Sequence, residues 1–384
     1  MRERKVELAD VVKKFGRLFV HKNNLSPQQT KILHNIIQCR TAALGGHEEA
    51  CDNCGEIRYS YNSCGDRHCP KCQLYKQNKW IEKLEKETLS VKHYHIIFTV
   101  PHCLNGICLW NDKLYYNLLF KSMWETLRTF GYTEYGVESG AVAVLHTWGQ
   151  NLSLHPHIHC LVPAAGFSLK GKWKNIGKND KYLYVVQQLS ATFKGKFLDS
   201  LKRQLRKIKH TGFINQIEQA YQTKWVVYSE APISGVKQVV KYLGQYTHRI
   251  AISNQRIKSI EEGKVHFYAK DYRDNATQKL VKMDGVEFLR RFVQHVLPKG
   301  FVRIRRFGIY NSTTKRNLAL QFAAASSNID ELIAEKVNHL ENDSLIKAHC
   351  CPACKKGKMV VVRELPKIRS PTTHLPSLLL AKLY

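Results

Sequence analysis

The chain has no long hydrophobic run, since none of its stretches approaches the roughly 18 apolar residues that a membrane-spanning helix needs. Its first residues, Met-Arg-Glu-Arg-Lys-Val-Glu, lack the apolar centre of a signal peptide. Acidic residues are scarce, 31 against 60 lysines and arginines, which leaves a net charge of +29. We therefore expect neither a membrane-spanning nor a secreted protein, but a cytoplasmic one with a polyanionic partner.

Cysteine is rare in the long middle of the chain. Of the twelve cysteines, six lie within residues 39–72 and three within residues 350–354. In a reducing compartment such groups act as metal ligands or buried thiols rather than as disulfides. The distribution predicts a helical segment with a small zinc-binding module over residues 1–75, a large domain over 76–330, and a C-terminal segment with a CxxC knuckle over 331–384.

Periodicity predicts helices and strands that interleave along the chain, which is typical of an α+β fold. Apolar residues at helical spacing predict helices over residues 5–20, 28–40, 76–90, 111–130, 187–208, 234–246, 285–296 and 313–325. Apolar runs rich in β-branched residues predict strands over residues 95–101, 141–148, 157–163, 224–229, 249–253, 264–270 and 301–310.

The N-terminal cysteine group contains two CxxC pairs with fourteen residues between them. Such pairs fit a tetrahedral zinc ion because each pair chelates from one tight turn. The sequence thus predicts one zinc site made by Cys51, Cys54, Cys69 and Cys72. The candidates for a second zinc ion are His47, Cys64, His68 and Cys39. Basic residues in and after the group favour a nucleic-acid-binding module over a purely structural one.

The C-terminal pair Cys351-x2-Cys354 is a further zinc candidate that lacks two ligands. A single CxxC supplies half of a tetrahedral site. The missing ligands are expected from His349, Cys350 or His374.

A histidine run, His155-Pro-His-Ile-His159, lies in the third predicted strand. His157 and His159 are two residues apart, so both imidazoles emerge from the same face of a sheet. With an apolar residue buried between them, the pair can hold one divalent metal ion. His155 has the same parity, although Pro156 can divert the chain there.

Two tyrosines, Tyr242 and Tyr246, lie four residues apart in a predicted helix and are therefore neighbours on one helix face. One interpretation is that both rings simply pack on the sheet. Three nearby cations, Lys237, Lys241 and Arg249, would instead lower the pKa of a phenol and bind phosphates. A metal on a sheet, opposed to tyrosine nucleophiles in a basic protein, fits the cleavage of single-stranded DNA.

Three segments resemble the rolling-circle HUH transposases of the insertion-sequence-91 type: Trp148–Val162, Lys241–Ser253 and Leu297–Arg305. A fourth segment, Tyr61–Gln73, resembles the N-terminal zinc module of that family. The resemblance extends from about residue 30 to about residue 355 and is specific in combination.

The resemblance implies an HUH endonuclease domain with a central five-stranded antiparallel sheet flanked by helices, preceded by a small zinc-binding module. It implies that DNA nicking depends on a Mg²⁺ or Mn²⁺ ion and that His157 and His159 bind this ion. It also implies that Tyr242 or Tyr246 forms a 5′-phosphotyrosine link with the DNA. The third metal ligand stays open. Gln150 is the first choice because its oxygen suits a hard cation, and His155 and His248 are the alternatives. The strand from His95 would support the metal-bearing strand.

The resulting hypothesis is a transposase that nicks and rejoins DNA at element ends, in association with the bacterial nucleoid. Its expected partners are single-stranded DNA, hairpin DNA at the element ends and target DNA, with no membrane. The alternatives are an HUH replication initiator or relaxase and, in another class, a non-catalytic zinc-finger regulator whose histidines and tyrosines are structural.

Overall fold

The computed structural model describes residues 5–73, 81, 89, 91–177, 181–233, 238, 244, 250–271, 274, 276–311, 313, 314 and 350–368. Its helices are α1 (Leu8–Lys22), α2 (Pro27–Gln38), α3 (Asn105–Trp110), α4 (Asp112–Tyr135), α5 (Val186–Lys207), α6 (Ile214–Gln222) and α7 (Gly285–Val293). Its strands are β1 (Gly46–Cys51), β2 (Ile57–Tyr61), β3 (His93–Thr99), β4 (Val137–Glu138), β5 (Gly140–Trp148), β6 (Leu154–Pro163), β7 (Ala165–Ser168), β8 (Trp173–Asn175), β9 (Val227–Ser229), β10 (Ile257–Glu261), β11 (Lys264–Asp271), β12 (Thr277–Asp284), β13 (Ile304–Gly308) and β14 (Met359–Leu365).

The predicted α+β class is confirmed, with antiparallel sheets flanked by helices. Most predicted elements that fall on described residues are present within a few residues of their expected bounds. The helices predicted over 76–90, 234–246 and 313–325 lie almost entirely outside the described residues. In the described part of the chain, no helix has the length and apolar character needed to cross a membrane.

The chain divides into two compact units. The large unit consists of Met1–Glu7 and Gln73–Lys315, and the small unit of Leu8–Cys72 and Arg316–Tyr384. The segment boundaries expected at residues 75 and 330 stay a prediction. What the structure adds is that the C-terminal segment belongs to the same unit as the N-terminal cysteine module.

The small unit begins with two helices whose apolar faces are buried. Helix α1 buries Phe15 and Phe19, and α2 buries Leu33. The start of α2 is fixed by a capping box, in which Ser26 and Gln29 bond each other's backbone N–H groups.

The sheet of the small unit has the strand order β14-β1-β2. Both pairings are antiparallel: Gly46 lies opposite Tyr61 of β2 and opposite Leu365 of β14. The last strand of the described chain thus pairs with the first. This pairing joins sequence positions about three hundred residues apart, and no local pattern in the sequence predicts it.

The large unit is built on a five-stranded sheet with the order β13-β5-β6-β3-β9, in which every neighbouring pair is antiparallel. This is the five-stranded antiparallel sheet that the resemblance implies. The strand that begins near His95 lies beside the predicted metal-binding strand as expected, since β3 pairs with β6 along its whole length, from His93 opposite Pro163 to Thr99 opposite His157.

The two faces of this sheet differ because side chains alternate along each strand. One face, which carries Phe98, Leu145 and Ile158, is buried against aromatic residues of the helices such as Phe120 and Phe193. The opposite face carries a small apolar group, Val142, Val144, Leu161 and Tyr310. By the same parity, that opposite face also receives the histidines of β3, β5 and β6.

The strand predicted over residues 249–253 is wrong: among its described residues, 250–253, there is no strand. Ala251 and Ile252 are buried, as their apolar character suggests. However, the Ala251 carbonyl accepts a hydrogen bond from the Arg256 guanidinium at 3.3 Å rather than from a neighbouring strand. The next strand is β10, which forms a separate antiparallel sheet with β11 and β12.

Replacing Phe193 by Ala should destabilise the large unit by about 3–5 kcal/mol, because it empties a fully buried position between Phe98 and Trp225. Urea denaturation followed by circular dichroism measures the loss. The control is Leu169→Ala, whose side chain is 85% exposed and whose removal should cost less than about 0.5 kcal/mol. Equal effects of the two changes would contradict the described core.

Candidate active site and metal centres

Three histidines of the large unit come together on the face of the five-stranded sheet that lies opposite the aromatic core. One ring nitrogen from each residue lies within 4.8 Å of the nitrogens from the other two, and we call this group the imidazole cluster: His146, His157 and His159. His157 and His159 share a face of β6 as the sequence predicts. His146 lies on β5, directly opposite His157 in the register of the two strands.

His146 was missed by the sequence analysis, although its strand was predicted. Its parity along β5 matches that of Val142 and Val144, which face the same side. What the pattern could not supply was the register between β5 and β6, which shifts between His146 and Trp148. With that register known, the position opposite His157 would have been the first place to look for a third ligand.

Hydrogen bonds to the outer ring nitrogens orient two of these imidazoles. Nδ1 of His157 donates to the backbone carbonyl of His155 at 2.6 Å, which leaves its Nε2 as the free nitrogen. Nδ1 of His159 lies 2.9 Å from Nε2 of His95. Histidines that bind metals in proteins usually have their second nitrogen held in this way.

The contact to His159 continues into a chain of charged and polar groups. Nδ1 of His95 lies 3.0 Å from the Glu230 carboxylate. When His95 donates this hydrogen to Glu230, its Nε2 accepts the Nδ1 hydrogen of His159. The His95 side chain is fully buried, whereas that of Glu230 is one-third exposed. The carboxylate therefore orients His159 through His95.

The protonation state of the imidazole cluster suits the binding of a cation. Burial, together with the nearby His155 and His95, lowers the pKa of His157 to about 4. Burial and His102 lower the pKa of His155 as well. The imidazole of His157 is therefore neutral at physiological pH, which is the form that donates a lone pair to a metal. Three imidazole nitrogens fit a divalent cation and leave further coordination positions for oxygen ligands.

The three candidates for the third ligand have different outcomes. Gln150 lies in the turn after β5, where its backbone carbonyl accepts a hydrogen bond from Arg256, and its role as a ligand stays a prediction. His155 lies on β6 with its ring centre 5.0 Å from that of His157, but is not a member of the imidazole cluster. His248 lies outside the described residues.

The predicted nucleophiles and the cations beside them also lie outside the described residues: Tyr242, Tyr246, Lys237, Lys241 and Arg249. Two residues of the same segment, Gln238 and Gly244, are described, and both are helical. Gly244 is buried, and a Cβ atom there would lie 2.5 Å from the side chain of Ile81. The roles of the tyrosines and cations stay predictions.

The cysteines of the small unit form two four-membered clusters. The first cluster consists of Cys39, Cys64, Cys69 and Cys72. The second cluster consists of Cys51, Cys54, Cys351 and Cys354. The prediction that both N-terminal CxxC pairs share one site is therefore wrong. Each pair instead finds its partners elsewhere, one in Cys39 and Cys64 and the other in the C-terminal pair.

Neither cluster includes the two histidines proposed for a second zinc ion. His47 lies on β1, and Nδ1 of His68 lies 3.1 Å from the Asp66 carboxylate. The predicted candidates His349 and His374 lie outside the described residues, and Cys350 is exposed beside the second cluster without belonging to it. Of the additional zinc candidates that the structure describes outside the CxxC pairs, Cys39 and Cys64 join a cluster and the others do not.

Both clusters contain thiols that ionise readily. Hydrogen bonds from the thiols of Cys64 and Cys69 lower the pKa of Cys39 to about 2. In the second cluster, the backbone N–H groups of Gly357 and Lys356 lower the pKa of Cys354 to about 6. The thiolate is the form of cysteine that binds zinc. All-sulfur clusters of four are typical of structural zinc sites.

Comparisons with known proteins agree with both parts of this description. A family model described as "Transposase zinc-binding domain" matches residues 11–100. A second model, described as "Putative transposase", matches residues 140–317. The first match contains the whole first cluster and half of the second, and the second match contains the imidazole cluster.

Two curated relatives extend over most of the chain. The "Putative transposase y4qJ" of Sinorhizobium fredii (strain NBRC 101917 / NGR234) is 37% identical over 390 residues, covering 95% of this chain and 97% of the relative. The "Transposase for insertion sequence element IS801" of Pseudomonas savastanoi pv. phaseolicola is 26% identical over 291 residues, covering 73% of this chain and 70% of the relative. No solved structure matches the chain.

The family models and the relatives indicate one family, and the cysteine clusters are consistent with its zinc-binding domain. A transposase model and a transposase zinc-binding model match successive parts of the chain, and a relative aligns with nearly all of it. The chain therefore belongs to the insertion-sequence-91 (IS91) family of transposases, enzymes that cut and join DNA.

Proposed function

We propose that this transposase nicks single-stranded DNA at the ends of its element and rejoins it, using the imidazole cluster to hold Mg²⁺ or Mn²⁺ and Tyr242 and Tyr246 as nucleophiles. The observation that carries the proposal is the imidazole cluster itself. Three histidines on one sheet face, two of them buried and the third, His157, half-buried, are arranged as metal ligands rather than as packing residues, and hydrogen bonds to the outer nitrogens orient His157 and His159.

The residues of the chain have separate tasks in this reaction. The imidazoles hold the cation, which when bound polarises the scissile phosphate as a Lewis acid. The phenol oxygen of a tyrosine attacks the phosphorus and loses its proton. The bond from phosphorus to the 3′ oxygen breaks, and that oxygen takes up a proton. The products are a free 3′-hydroxyl and a 5′-phosphate linked to tyrosine.

Two tyrosines in one predicted helix suit two successive strand transfers. Residues four apart are neighbours on a helix face, so in that helix we expect each phenol to reach the same phosphate position. A free phenol has a pKa of about 10, so the cation and nearby lysines and arginines must favour its anion. The first phosphotyrosine can then be resolved while the second forms, as rolling-circle transposition requires.

The DNA proposed as substrate is single-stranded or folded into hairpins at the element ends. A net charge of +29 supplies electrostatic attraction to any DNA. Family membership favours the transposase over a replication initiator or relaxase. The hydrogen-bonded histidine cluster, in which His146 and His159 are buried, argues against a regulator in which these residues are only structural.

Replacing His146, His157 or His159 by Ala should reduce metal-dependent nicking by about 100-fold or more, because each change removes a metal ligand. DNA binding should persist, since it depends on cations spread over the protein. Cleavage of labelled single-stranded element ends measures the rate. The control is His266→Ala, which removes another buried histidine of the large unit outside the cluster. A His146→Ala variant with full metal-dependent activity would remove that residue from the site.

Tyr242→Phe and Tyr246→Phe should each block transposition in cells, while at least one of the single variants still nicks DNA in vitro. The double variant should form no covalent protein–DNA adduct, because both candidate nucleophiles are gone. Denaturing gels of the protein with labelled DNA detect the adduct. The control is Tyr228→Phe, since this half-exposed tyrosine lies on β9 outside the predicted helix. An adduct in the double variant would place the nucleophile elsewhere.

Glu230→Gln should weaken the affinity for the catalytic metal by about 10–100-fold, because an uncharged amide oxygen accepts the hydrogen of His95 more weakly than the carboxylate does and so holds His95 and His159 less firmly. The metal concentration at half-maximal nicking should rise, and excess metal should restore the rate. The control is Glu218→Gln, at an exposed carboxylate on α6. If excess metal does not restore a reduced rate, Glu230 does not act through the metal.

A further inference from the structure

The second cysteine cluster is formed by two similar turns from distant parts of the chain. In the first turn, which we call the N-terminal knuckle (residues 51–56), the N–H of Gly55 donates to the Cys51 carbonyl at 3.1 Å. The N–H of Cys51 donates to the carbonyl of Glu56 at 2.9 Å. Gly55 has a φ of 70°, a conformation that glycine adopts without steric cost. This turn aims both cysteine side chains of the pair in one direction.

The C-terminal knuckle (residues 351–357) repeats this arrangement. The N–H of Lys355 donates to the Cys351 carbonyl at 3.0 Å, and the N–H of Cys351 donates to the carbonyl of Gly357 at 2.8 Å. Lys355 occupies the position of the glycine and has a φ of 57°. Positive φ is uncommon for a residue with a side chain and persists where the surrounding structure requires it. The bond from the fourth residue after the first cysteine back to that cysteine is thus present in both knuckles, once without glycine at the donor position, whereas the closing bond of the C-terminal knuckle reaches one residue further along the chain.

The four sulfurs lie at the spacing of a tetrahedral zinc site. The Sγ atoms of Cys51 and Cys354 are 3.7 Å apart, and those of Cys54 and Cys351 are also 3.7 Å apart. A tetrahedron with Zn–S bonds of about 2.3 Å has sulfur–sulfur edges of about 3.8 Å. All four sulfurs lie within 4.8 Å of one another. The arrangement therefore fits a single ion.

The two knuckles interlock closely around this position. A Cβ atom on Gly357 would lie 2.5 Å from the sulfur of Cys51, so only glycine allows this approach. The Asp52 carboxylate accepts the N–H of Lys358 at 2.7 Å, and the N–H of Asp52 donates to the Lys358 carbonyl at 3.1 Å. Backbone N–H groups also face the sulfurs, from Asn53 to Cys51 at 3.4 Å and from Gly357 to Cys354 at 3.3 Å.

The strand that follows the C-terminal knuckle has little apolar burial to hold it in place. In β14, Val360, Val361 and Val362 are 51–57% exposed. Two other interactions hold β14, the backbone hydrogen bonds to β1 and a surface ion pair between Arg363 and Glu48. Each contributes little to stability by itself. A metal ion bound by both knuckles supplies the missing free energy, because binding energy at such a site is also folding energy.

We propose that the second cysteine cluster binds its own Zn²⁺ ion, separate from that of the first cluster, and that this ion fastens β14 to the N-terminal sheet. The thiols that are protonated lose their protons to solvent as the ion binds, with no change in oxidation state. The zinc-binding family model ends at residue 100 and therefore covers only half of this ligand set. The remaining half, the C-terminal knuckle, is assigned by the structure.

The zinc content of the full-length protein tests the proposal. Protein purified without chelator should contain two zinc ions per chain, one for each cluster. The double variant Cys351→Ser with Cys354→Ser should contain half as much. The matched control is Cys350→Ser, which changes the adjacent exposed cysteine outside the cluster and should leave the zinc content unchanged. A double variant with the full zinc content would overturn the proposal.

Hydrogen exchange locates the effect of the ion. In the double variant, the amides of residues 359–365 should lose their protection, while those of β5 and β6 in the large unit should keep theirs. Unchanged protection of residues 359–365 would show that zinc does not fasten the strand.

A measurement on the unaltered protein is independent of how the variant folds. X-ray absorption at the zinc edge should show four sulfur ligands at about 2.3 Å for each ion and no imidazole nitrogen. A mixed nitrogen and sulfur shell, or one zinc ion together with disulfides between the knuckles, would overturn the assignment. None of these readouts depends on DNA cleavage, so the proposal is tested separately from the nicking reaction.

Discussion

The antiparallel pairing of β5 with β6 is the interaction on which the candidate active site depends. On the core face of this pair, Leu145 lies opposite Ile158, and both are fully buried. The next positions along the two strands, His146 and His157, therefore lie opposite each other on the other face. A slip of one residue would turn the histidines toward the aromatic core and the leucine and isoleucine away from it. Packing on one face thus fixes the geometry of the candidate metal ligands on the other.

The order of the strands also determines how the candidate metal ligand His159 is oriented. Because β3 lies between β6 and β9, His95 reaches His159 on one side and Glu230, just after β9, on the other. A buried imidazole without a partner would be costly, and this row of hydrogen bonds satisfies both nitrogens of His95. The carboxylate stands at the outer end of the row, where partial exposure reduces the cost of its charge.

The sequence was sufficient for features that depend on local pattern. Alternation and helical spacing predicted β5, β6, α4 and α5, and the two-residue spacing of His157 and His159 placed both on one face. It was insufficient where distant segments meet. The third histidine, His146, required the strand register, and the grouping of the cysteines required the fold. Each CxxC pair is a local turn, but nothing in the spacing shows which two turns face each other. The apolar run Ile250-Ala-Ile252 shows another limit, because two of its residues are buried without forming the predicted strand.

The two cysteine clusters differ in how far apart their ligands lie in the sequence, and this separation affects the order in which they fold. The ligands of the first cluster lie within 33 residues of one another, from Cys39 to Cys72, so that cluster can form as soon as the module is synthesised. Ligands of the second cluster are separated by as many as 303 residues, because the main segment of the large unit, Gln73–Lys315, lies between them. Closing so long a loop costs more chain entropy, and its reward comes only when the last CxxC has been made. The N-terminal helices and the first cluster can therefore fold early, whereas β14 can join β1 only in a nearly complete chain. A transposase truncated before its C-terminal CxxC pair would keep the first cluster and lack the second. The second cluster therefore forms only in a chain that also contains Gln73–Lys315, the main segment of the large unit.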